Sequence, residues 1–323
     1  MNAKTVKLVE QALKGEVTSL SRIISLVENE SDEVPEIMKL VAPQVGRAHC
    51  IGITGPPGAG KSTLVDRLTA LMRKQGLKVG IIAVDPSSPF TGGAVLGDRI
   101  RMQQHYLDEE VFIRSMATRG SMGGLPQTAS SVIKILDAAH KDVIMVETVG
   151  VGQSEVDIME KTDTVLVVLS PESGDAVQTM KAGLFEIADI FVVNKADHPG
   201  ADSFVRDIRA MLQLHEPGWW NTPVLATEAL NYVGIEELHR QIELHYQTLC
   251  QEGRLLHYRR LQRRHDFLRI LEQRLTHRLL TLIEQDRELN SYIERVEKGE
   301  LDAYSAADEI LRSQKLLGDL LRD

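Results

Sequence analysis

The segment with the strongest chemical signature is a glycine-rich loop, Gly55-Pro56-Pro57-Gly58-Ala59-Gly60-Lys61-Ser62-Thr63. It has the GxxxxGK[ST] pattern, and it lies between an apolar run and a helical pattern. Glycines let backbone N–H groups curve around phosphate oxygens, and the helix that follows points its positive end at them. The Lys61 ammonium is expected to reach the β- and γ-phosphates, and the Ser62 hydroxyl to coordinate Mg²⁺. The loop predicts a nucleoside triphosphate site.

Carboxylates at three other places are candidates to assist the metal or the reacting water. Glu147 ends one apolar run and is followed three residues later by Gly150, the spacing of a metal-shell acid and a γ-phosphate-sensing amide. Asp85 ends another run, and Asp98 follows a glycine-bearing loop. Mg²⁺ takes oxygen ligands and usually keeps several waters, so direct and water-mediated roles both stay open. The predicted metal ligands are Ser62, Asp85, Asp98 and Glu147, and the predicted catalytic groups are Lys61, Glu147 and Asp98.

The identity of the base is indicated by Asn194-Lys195-Ala196-Asp197, an NKxD tetrapeptide at the end of an apolar run. The Asp197 carboxylate can accept hydrogen bonds from guanine N1–H and the 2-amino group together. Adenine offers neither donor, and unmet buried polar groups cost about 1–3 kcal/mol each. A weaker signal is the segment Ala226, Thr227 and Glu228, where a backbone N–H is expected to meet the guanine carbonyl. The predicted ligands are therefore GTP and GDP.

The elements that must position these residues are short apolar runs alternating with helical patterns. Continuous apolar runs suit strands buried on both faces, and alternation with helices favours a mostly parallel sheet. Ligands of such sheets bind beyond the carboxyl ends of the strands. We therefore predict an α/β fold of the P-loop NTPase class. The runs are Cys50–Ile53, Val79–Val84, Val143–Val146, Val165–Leu169, Ile190–Val193 and Pro223–Ala226, with a weaker one at Val111–Ile113.

Helical spacing without strand patterns marks both ends of the chain. The sequence predicts a helical arm over residues 1–45, a GTPase domain over 46–250 and a helical segment over 251–323. The net charge of −9 disfavours nucleic acid or a membrane surface as partner. Two cysteines cannot form a disulfide framework, and there is no apolar run of about 18 residues. These features predict a cytoplasmic protein.

Several motifs together resemble one family. The sequence contains GPPGAGKST, VDPSSPFTGGAVLGDRIRM, RSMATRGSMGGL, ETVGVGQSE and NKAD. In these motifs the chain is similar, over essentially its whole length, to the MeaB/ArgK family of G-protein chaperones. That family serves adenosylcobalamin-dependent methylmalonyl-CoA mutase. The most specific of the motifs are VDPSSP and ETVGVGQSE, which generic GTPases lack.

The resemblance implies properties that the residues alone do not. It implies slow intrinsic GTP hydrolysis that the mutase stimulates, and GTP-gated loading or protection of the mutase cofactor. The adenosylcobalamin then belongs to the client enzyme and not to this chain. It also implies a homodimer held by the C-terminal helices. Finally, it implies an additional switch between the Glu147 strand and NKAD, with Asp175, Gln178 and Lys181 as its acid, amide and lysine.

Two other functions are alternatives to a mutase chaperone. Some members of the family were once described as kinases of arginine- and ornithine-binding proteins, so a phosphotransferase is the first alternative. Most phosphate-loop kinases use ATP, and NKAD argues for GTP. The second alternative is a metal-inserting GTPase, but such proteins carry histidine-rich or clustered Cys/His segments. Here the ten histidines are dispersed along the chain.

Overall fold

The structure is a computed structural model that describes residues 3–85, 102, 104–118, 125–126, 128–148, 154–172, 183–214 and 218–312. Its centre is a seven-stranded sheet in the order β3-β2-β4-β1-β5-β6-β7, and every neighbouring pair is parallel. The predicted α/β fold and all of its predicted strands are confirmed. The strands are β1 (His49–Thr54), β2 (Val79–Asp85), β3 (Val111–Ala117), β4 (Val143–Glu147), β5 (Thr164–Leu169), β6 (Ile190–Asn194) and β7 (Val224–Thr227).

Helices precede, connect and follow these strands. Before the sheet come α1 (Ala3–Leu13), α2 (Val17–Glu28) and α3 (Val34–Val41). Between the strands, in chain order, come α4 (Lys61–Lys74), α5 (Ala129–Ala138), α6 (Ser154–Met159), α7 (Leu184–Ile187) and α8 (Ala201–Leu212). After the sheet come α9 (Ile235–Gln251), α10 (Arg254–Gln285), α11 (Arg287–Glu297) and α12 (Ala303–Arg312). None of the helices in these described ranges combines the length and the apolar character needed to cross a membrane.

Two hydrophobic clusters cover the sheet. Alternate residues of one strand face opposite sides, so Ile51 belongs to one cluster and Cys50 to the other. The cluster with Ile51 is completed by α4 and α9. The cluster with Cys50 includes fully buried residues of α1–α3, such as Ile23, together with α5 and α8. The N-terminal helices therefore share the core of the sheet.

The amino ends of the central strands are joined by a polar network in which three of the four side chains are buried. Thr164 Oγ1 lies 2.8 Å from His49 Nε2 and 2.9 Å from His245 Nδ1. His245 Nε2 lies 3.3 Å from a carboxylate oxygen of Asp189. This set, His49, Thr164, His245 and Asp189, is called the amino-end network below. It ties β1, β5 and the residue before β6 to helix α9.

Arg259 adds a second connection at the same end of the sheet. Its guanidinium donates two hydrogen bonds to the Asp163 carboxylate, at 2.9 and 2.7 Å. It also donates to the carbonyls of Gly46 and Ala48, each at 2.7 Å. Asp163 in turn accepts from the Cys50 backbone N–H at 2.9 Å. The first turns of α10 are therefore fixed to the amino ends of β1 and β5.

The chain divides into two compact units, Met1–Arg259 and Arg260–Asp323. The first contains the sheet and the N-terminal helices. The second contains the rest of α10 with α11 and α12, where Leu289 and Ala306 are buried. Along α10 a series of large apolar side chains is exposed: Leu261, Phe267, Leu268, Ile270, Leu271, Leu275 and Leu280.

Candidate nucleotide site

The phosphate loop lies between the carboxyl end of β1 and the start of α4, where the sequence predicts it. Gly55 has a φ of +135° and Gly60 a φ of +90°, values that L side chains rarely adopt. A Cβ atom on Gly55 would lie 1.9 Å from the Val168 carbonyl oxygen, and one on Gly60 would lie 2.2 Å from Asn194 Nδ2. These two positions require glycine, because the loop packs directly against β5 and the end of β6.

Lys61 is buried at the base of this loop. Its Nζ donates to the Gly55 carbonyl at 2.7 Å and to the Pro56 carbonyl at 3.1 Å. Both acceptors are neutral dipoles of the loop itself, so the side chain is folded back over the loop. A lysine held in this way brings a full positive charge to a ring of backbone groups. That combination attracts phosphate.

Ser62 and Glu147 meet where β1 and β4 lie side by side. The Ser62 hydroxyl donates to Glu147 Oε1 at 2.7 Å, and both side chains are buried. The contact follows from the parallel register, in which Ile53 of β1 is the partner of Glu147. A hydroxyl and a carboxylate are the hard oxygen donors that Mg²⁺ prefers. This pair therefore fits a magnesium ion beside the phosphate loop.

The other predicted metal and switch residues cannot be placed in the same way. Asp85 is the last residue of β2, and only its backbone is described. The remaining predictions fall outside the described residues: Asp98, Gly150, Asp175, Gln178 and Lys181. Among the residues that are described, no group of three or more His, Cys, Asp or Glu side chains forms a metal-binding cluster.

Asn194 of the NKxD segment connects the phosphate loop to the last strand. Its Nδ2 donates to the Ala59 carbonyl at 2.8 Å. Its Oδ1 accepts from the Thr227 hydroxyl and from the Ala229 backbone N–H, both at 3.1 Å. One buried side chain thus fixes the distance between the phosphate loop and the turn that follows β7. The sequence predicts that Asn194 helps to read the base, but it does not indicate this bridge.

Lys195 and Asp197 present their charged groups at the surface next to this bridge. Lys195 has a left-handed backbone with φ of +59°, and its Nζ lies 2.6 Å from Glu172 Oε2. Glu172 Oε1 also lies 2.9 Å from His198 Nδ1. The hydrogen bond from Lys195 holds the pKa of Glu172 below its usual value. The Asp197 carboxylate is about half exposed, so it is accessible to a base.

The end of β7 and the turn after it contain the second predicted base-contacting segment. Thr227 ends the strand, and its hydroxyl is used by Asn194. The Glu228 N–H donates to the Val233 carbonyl at 3.0 Å, and the Ala229 N–H is the one that reaches Asn194 Oδ1. Both backbone donors already have acceptors within the protein. A base carbonyl would have to share or replace the Asn194 contact at Ala229.

The parallel sheet, the glycine-rich loop with Lys61 and the Asn194 bridge together define a P-loop GTPase. Comparison with known proteins refines that class. The family model described as Methylmalonyl Co-A mutase-associated GTPase MeaB matches residues 20–284. The chain belongs to this family.

Individual relatives agree with this assignment. A putative GTPase of Pyrococcus abyssi is 49% identical over 310 residues, covering 95% of both chains. GTPase ArgK of Escherichia coli K12 is 36% identical over 270 residues, covering 80% of this chain and 81% of the relative. A solved structure described as LAO/AO transport system kinase is 28% identical, with a TM-score of 0.71. It covers 96% of this chain and 97% of its own.

Proposed function

We propose that this protein is a GTP-hydrolysing chaperone that gates cofactor loading or protection of an adenosylcobalamin-dependent methylmalonyl-CoA mutase. The GTPase part rests on the assembled phosphate loop and NKxD segment. The client part rests on one observation, the match of residues 20–284 to a family described as mutase-associated. We expect the protein to act in the cytoplasm, where it would meet such a client.

Within the site, we assign each residue the role that its surroundings support. Lys61 and the backbone of residues 55–63 would hold the phosphates. Ser62 and Glu147 would hold Mg²⁺, which supplies charge neutralisation to phosphoryl transfer when it is bound. Asp85 and Asp98 stay proposed metal ligands, and Asp98 a proposed catalytic group. Gly150 stays the proposed γ-phosphate sensor.

Base recognition is assigned to the exposed end of the same site. Asp197 would accept from guanine N1–H and the 2-amino group, and Lys195 would pack its stem across the base. The chain around Ala226, Thr227 and Glu228 would form the wall that faces the guanine carbonyl. Asn194 would keep this wall in register with the phosphate loop, because its amide contacts both.

The base assignment has a direct test. Replacing Asp197 by asparagine converts an acceptor into an amide that also donates, so GTP affinity should fall about 10- to 100-fold. Xanthosine triphosphate carries a 2-oxo group and should bind the variant better than it binds the wild type. Calorimetry with GTP, ATP and xanthosine triphosphate on both proteins measures this. Equal affinity of the wild type for ATP and GTP would contradict the assignment.

The client assignment needs a separate measurement. We propose that Asp175, Gln178 and Lys181 form a switch that responds to the mutase. The Asp175→Ala, Lys181→Ala double variant should then keep intrinsic GTP hydrolysis and lose stimulation by added mutase. A 5- to 150-fold response corresponds to a coupling of about 1–3 kcal/mol, which is typical of such switches. Undiminished stimulation of the double variant would argue against the switch, and no stimulation of the wild type against the client.

We also propose that the chain forms a homodimer through its C-terminal helices. The large apolar side chains exposed along α10 are the observation that supports this, because such series usually pack against a partner. Sedimentation of the full chain would measure the oligomeric state.

A second candidate function is suggested by the solved structure described as a transport system kinase. A kinase would transfer the γ-phosphoryl group to a protein or amino acid and not to water. Incubation with γ-labelled GTP and a periplasmic arginine- or ornithine-binding protein separates the two functions. Label on the binding protein would favour the kinase, whereas label released only as inorganic phosphate favours the GTPase.

A further inference from the structure

Arg67 lies on α4, six residues after Lys61, and reaches across to the turn that follows β7. Its Nε donates to the Ala229 carbonyl oxygen at 3.1 Å, and its Nη2 lies 3.5 Å from the Leu230 carbonyl oxygen. Its guanidinium carbon lies 4.6 Å from the centroid of the Tyr232 ring. A planar cation that donates at its edge and stacks on its face is a use of arginine that lysine cannot reproduce.

The turn that Arg67 contacts has a backbone that requires support. Tyr232 has a φ of +62°, which is unfavourable for a bulky residue. Across the turn, the Glu228 N–H donates to the Val233 carbonyl at 3.0 Å and the Val233 N–H donates back at 3.2 Å. These bonds close the turn on itself. They do not fix its position relative to the phosphate loop.

That position is fixed from two sides, and both contacts converge on Ala229. Asn194 Oδ1 accepts from the Ala229 N–H at 3.1 Å, and Arg67 Nε donates to the Ala229 carbonyl oxygen. Asn194 also contacts the phosphate loop at Ala59, and Arg67 belongs to the helix that begins with Lys61. Both connections therefore run from phosphate-binding elements to the same residue of the turn.

We propose that Arg67 is a positioning residue for purine bases that carry a 6-carbonyl group. Through its contacts with the Ala229 carbonyl and the Tyr232 ring, Arg67 sets the distance between the 228–232 turn and the base. This inference rests on the proposed function, because it presumes that the turn faces the base. Arg67 takes no part in phosphoryl transfer, so its loss should change nucleotide affinity and leave turnover at saturation unchanged.

The test compares Arg67→Lys with Arg73→Lys. Arg73 is on the same helix but contacts other groups, the Asp108 carboxylate and the Leu77 carbonyl, both at 2.7 Å. The first variant should weaken GDP and inosine diphosphate by the same factor, about tenfold, because both bases keep the 6-carbonyl. The second variant should bind both nucleotides as the wild type does. kcat at saturating GTP should be the same in all three proteins.

A second variant keeps the inference testable if Arg67→Lys does not fold. Tyr232→Leu removes the aromatic face and leaves the helix intact, and it should weaken both diphosphates by the same smaller factor, about threefold. Unchanged affinities in the folded variants would overturn the inference, as would equal losses in Arg67→Lys and Arg73→Lys or a fall confined to kcat. A wild type that binds no guanine nucleotide would instead refute the proposed function.

Discussion

Polar residues at the two ends of the parallel sheet are paired in different ways. At the amino end, Arg259 and Asp163 make several mutual and backbone hydrogen bonds, and His49, Thr164 and His245 of the amino-end network are buried. At the carboxyl end, Lys61 is paired with carbonyls of its own loop, and Lys195 with a half-exposed glutamate. The partners at the amino end lie at or just before the first residues of strands, on segments that are far apart in the chain. The two lysines at the carboxyl end contact carbonyls of the adjoining loop and one exposed side chain.

The difference separates polar residues that stabilise the fold from those that bind. A buried charge with internal partners is costly to separate from them, so the amino end should be rigid and insensitive to ligand. A lysine held by neutral carbonyls can exchange those acceptors for phosphate at small cost. The same applies to the Ser62–Glu147 hydrogen bond, since the Ser62 hydroxyl could turn its proton away and offer an oxygen lone pair to a metal ion that the Glu147 carboxylate would also face. We therefore expect mutations at the amino end to lower the free energy of unfolding, and mutations at the carboxyl end to lower kcat/KM for GTP.

The largest expected effect is at the amino end. Arg259→Ala leaves the Asp163 carboxylate buried without its cation, which typically costs about 3–5 kcal/mol of unfolding free energy. Urea denaturation measures this, and the adjacent exposed Arg260→Ala is the matched control, with an expected change within about 0.5 kcal/mol. GTP affinity of the folded variant should equal that of the wild type. A large loss of GTP affinity would contradict the proposal that the amino end stabilises the fold and takes no part in binding.

The next effect is at the carboxyl end. Lys61→Ala removes the ammonium that the loop holds, so kcat/KM for GTP should fall about 10²–10³-fold, a typical loss for one preorganised electrostatic contact. The free energy of unfolding should change less than in Arg259→Ala, because the Gly55 and Pro56 carbonyls that the lysine contacts are neutral. Lys39→Ala, at an exposed position on α3, is the control. Destabilisation comparable to that of Arg259→Ala would contradict the comparison.

The third effect is a pH dependence of the free energy of unfolding, and it comes from His49 at the amino end. The pKa of His49 is lowered to about 3, chiefly by burial, and electrostatic interactions with His245, Arg259 and His239 contribute to the same lowering. The unfolded chain binds a proton at this histidine below about pH 6.5, and the folded protein does not until about pH 3. Its contribution to stability is therefore complete above pH 6.5 and declines as the pH falls from 6.5 towards 3.

Between pH 6.5 and 5.0 this decline amounts to about 2 kcal/mol. His49→Gln keeps a hydrogen-bonding group beside Thr164 and has no proton to bind, so its unfolding free energy should fall less steeply over the same interval. Urea titrations of both proteins at several pH values give the two slopes. Parallel slopes would show that His49 is not held neutral by the fold.

Much of the fold was predictable because fully buried parallel strands are continuous apolar runs, and each run identified here became a strand. Residues 1–45 were correctly predicted as helical, but periodicity does not indicate what a helix packs against. Their buried residues join the core of the sheet. The domain limits at residues 45 and 250 remain predictions. In the structure, the boundary between the two compact units instead follows Arg259.

In the site, the residues within one motif were predictable and the contacts between motifs were not. Asn194 meets Ala59 across 135 residues, and Arg67 meets Ala229 across 162. Glu172 lies 23 residues from Lys195 and belongs to no motif. Nothing in the local sequence specifies such pairs, because they depend on strand order and register. The assignments of Asp98, Gly150 and the proposed switch remain predictions, because these residues lie outside the part of the chain that the structure describes.

The order of strands in the sheet also bears on how the protein is made. β1 is flanked by β4 and β5, which begin at Val143 and Thr164, so it has no neighbour on either side until long after it leaves the ribosome. The phosphate loop follows β1 directly, yet its backing at Val168 and Asn194 is synthesised more than a hundred residues later. GTP in the cell therefore has no formed site to bind during most of translation. The nascent chain must reach its central core without help from its own ligand.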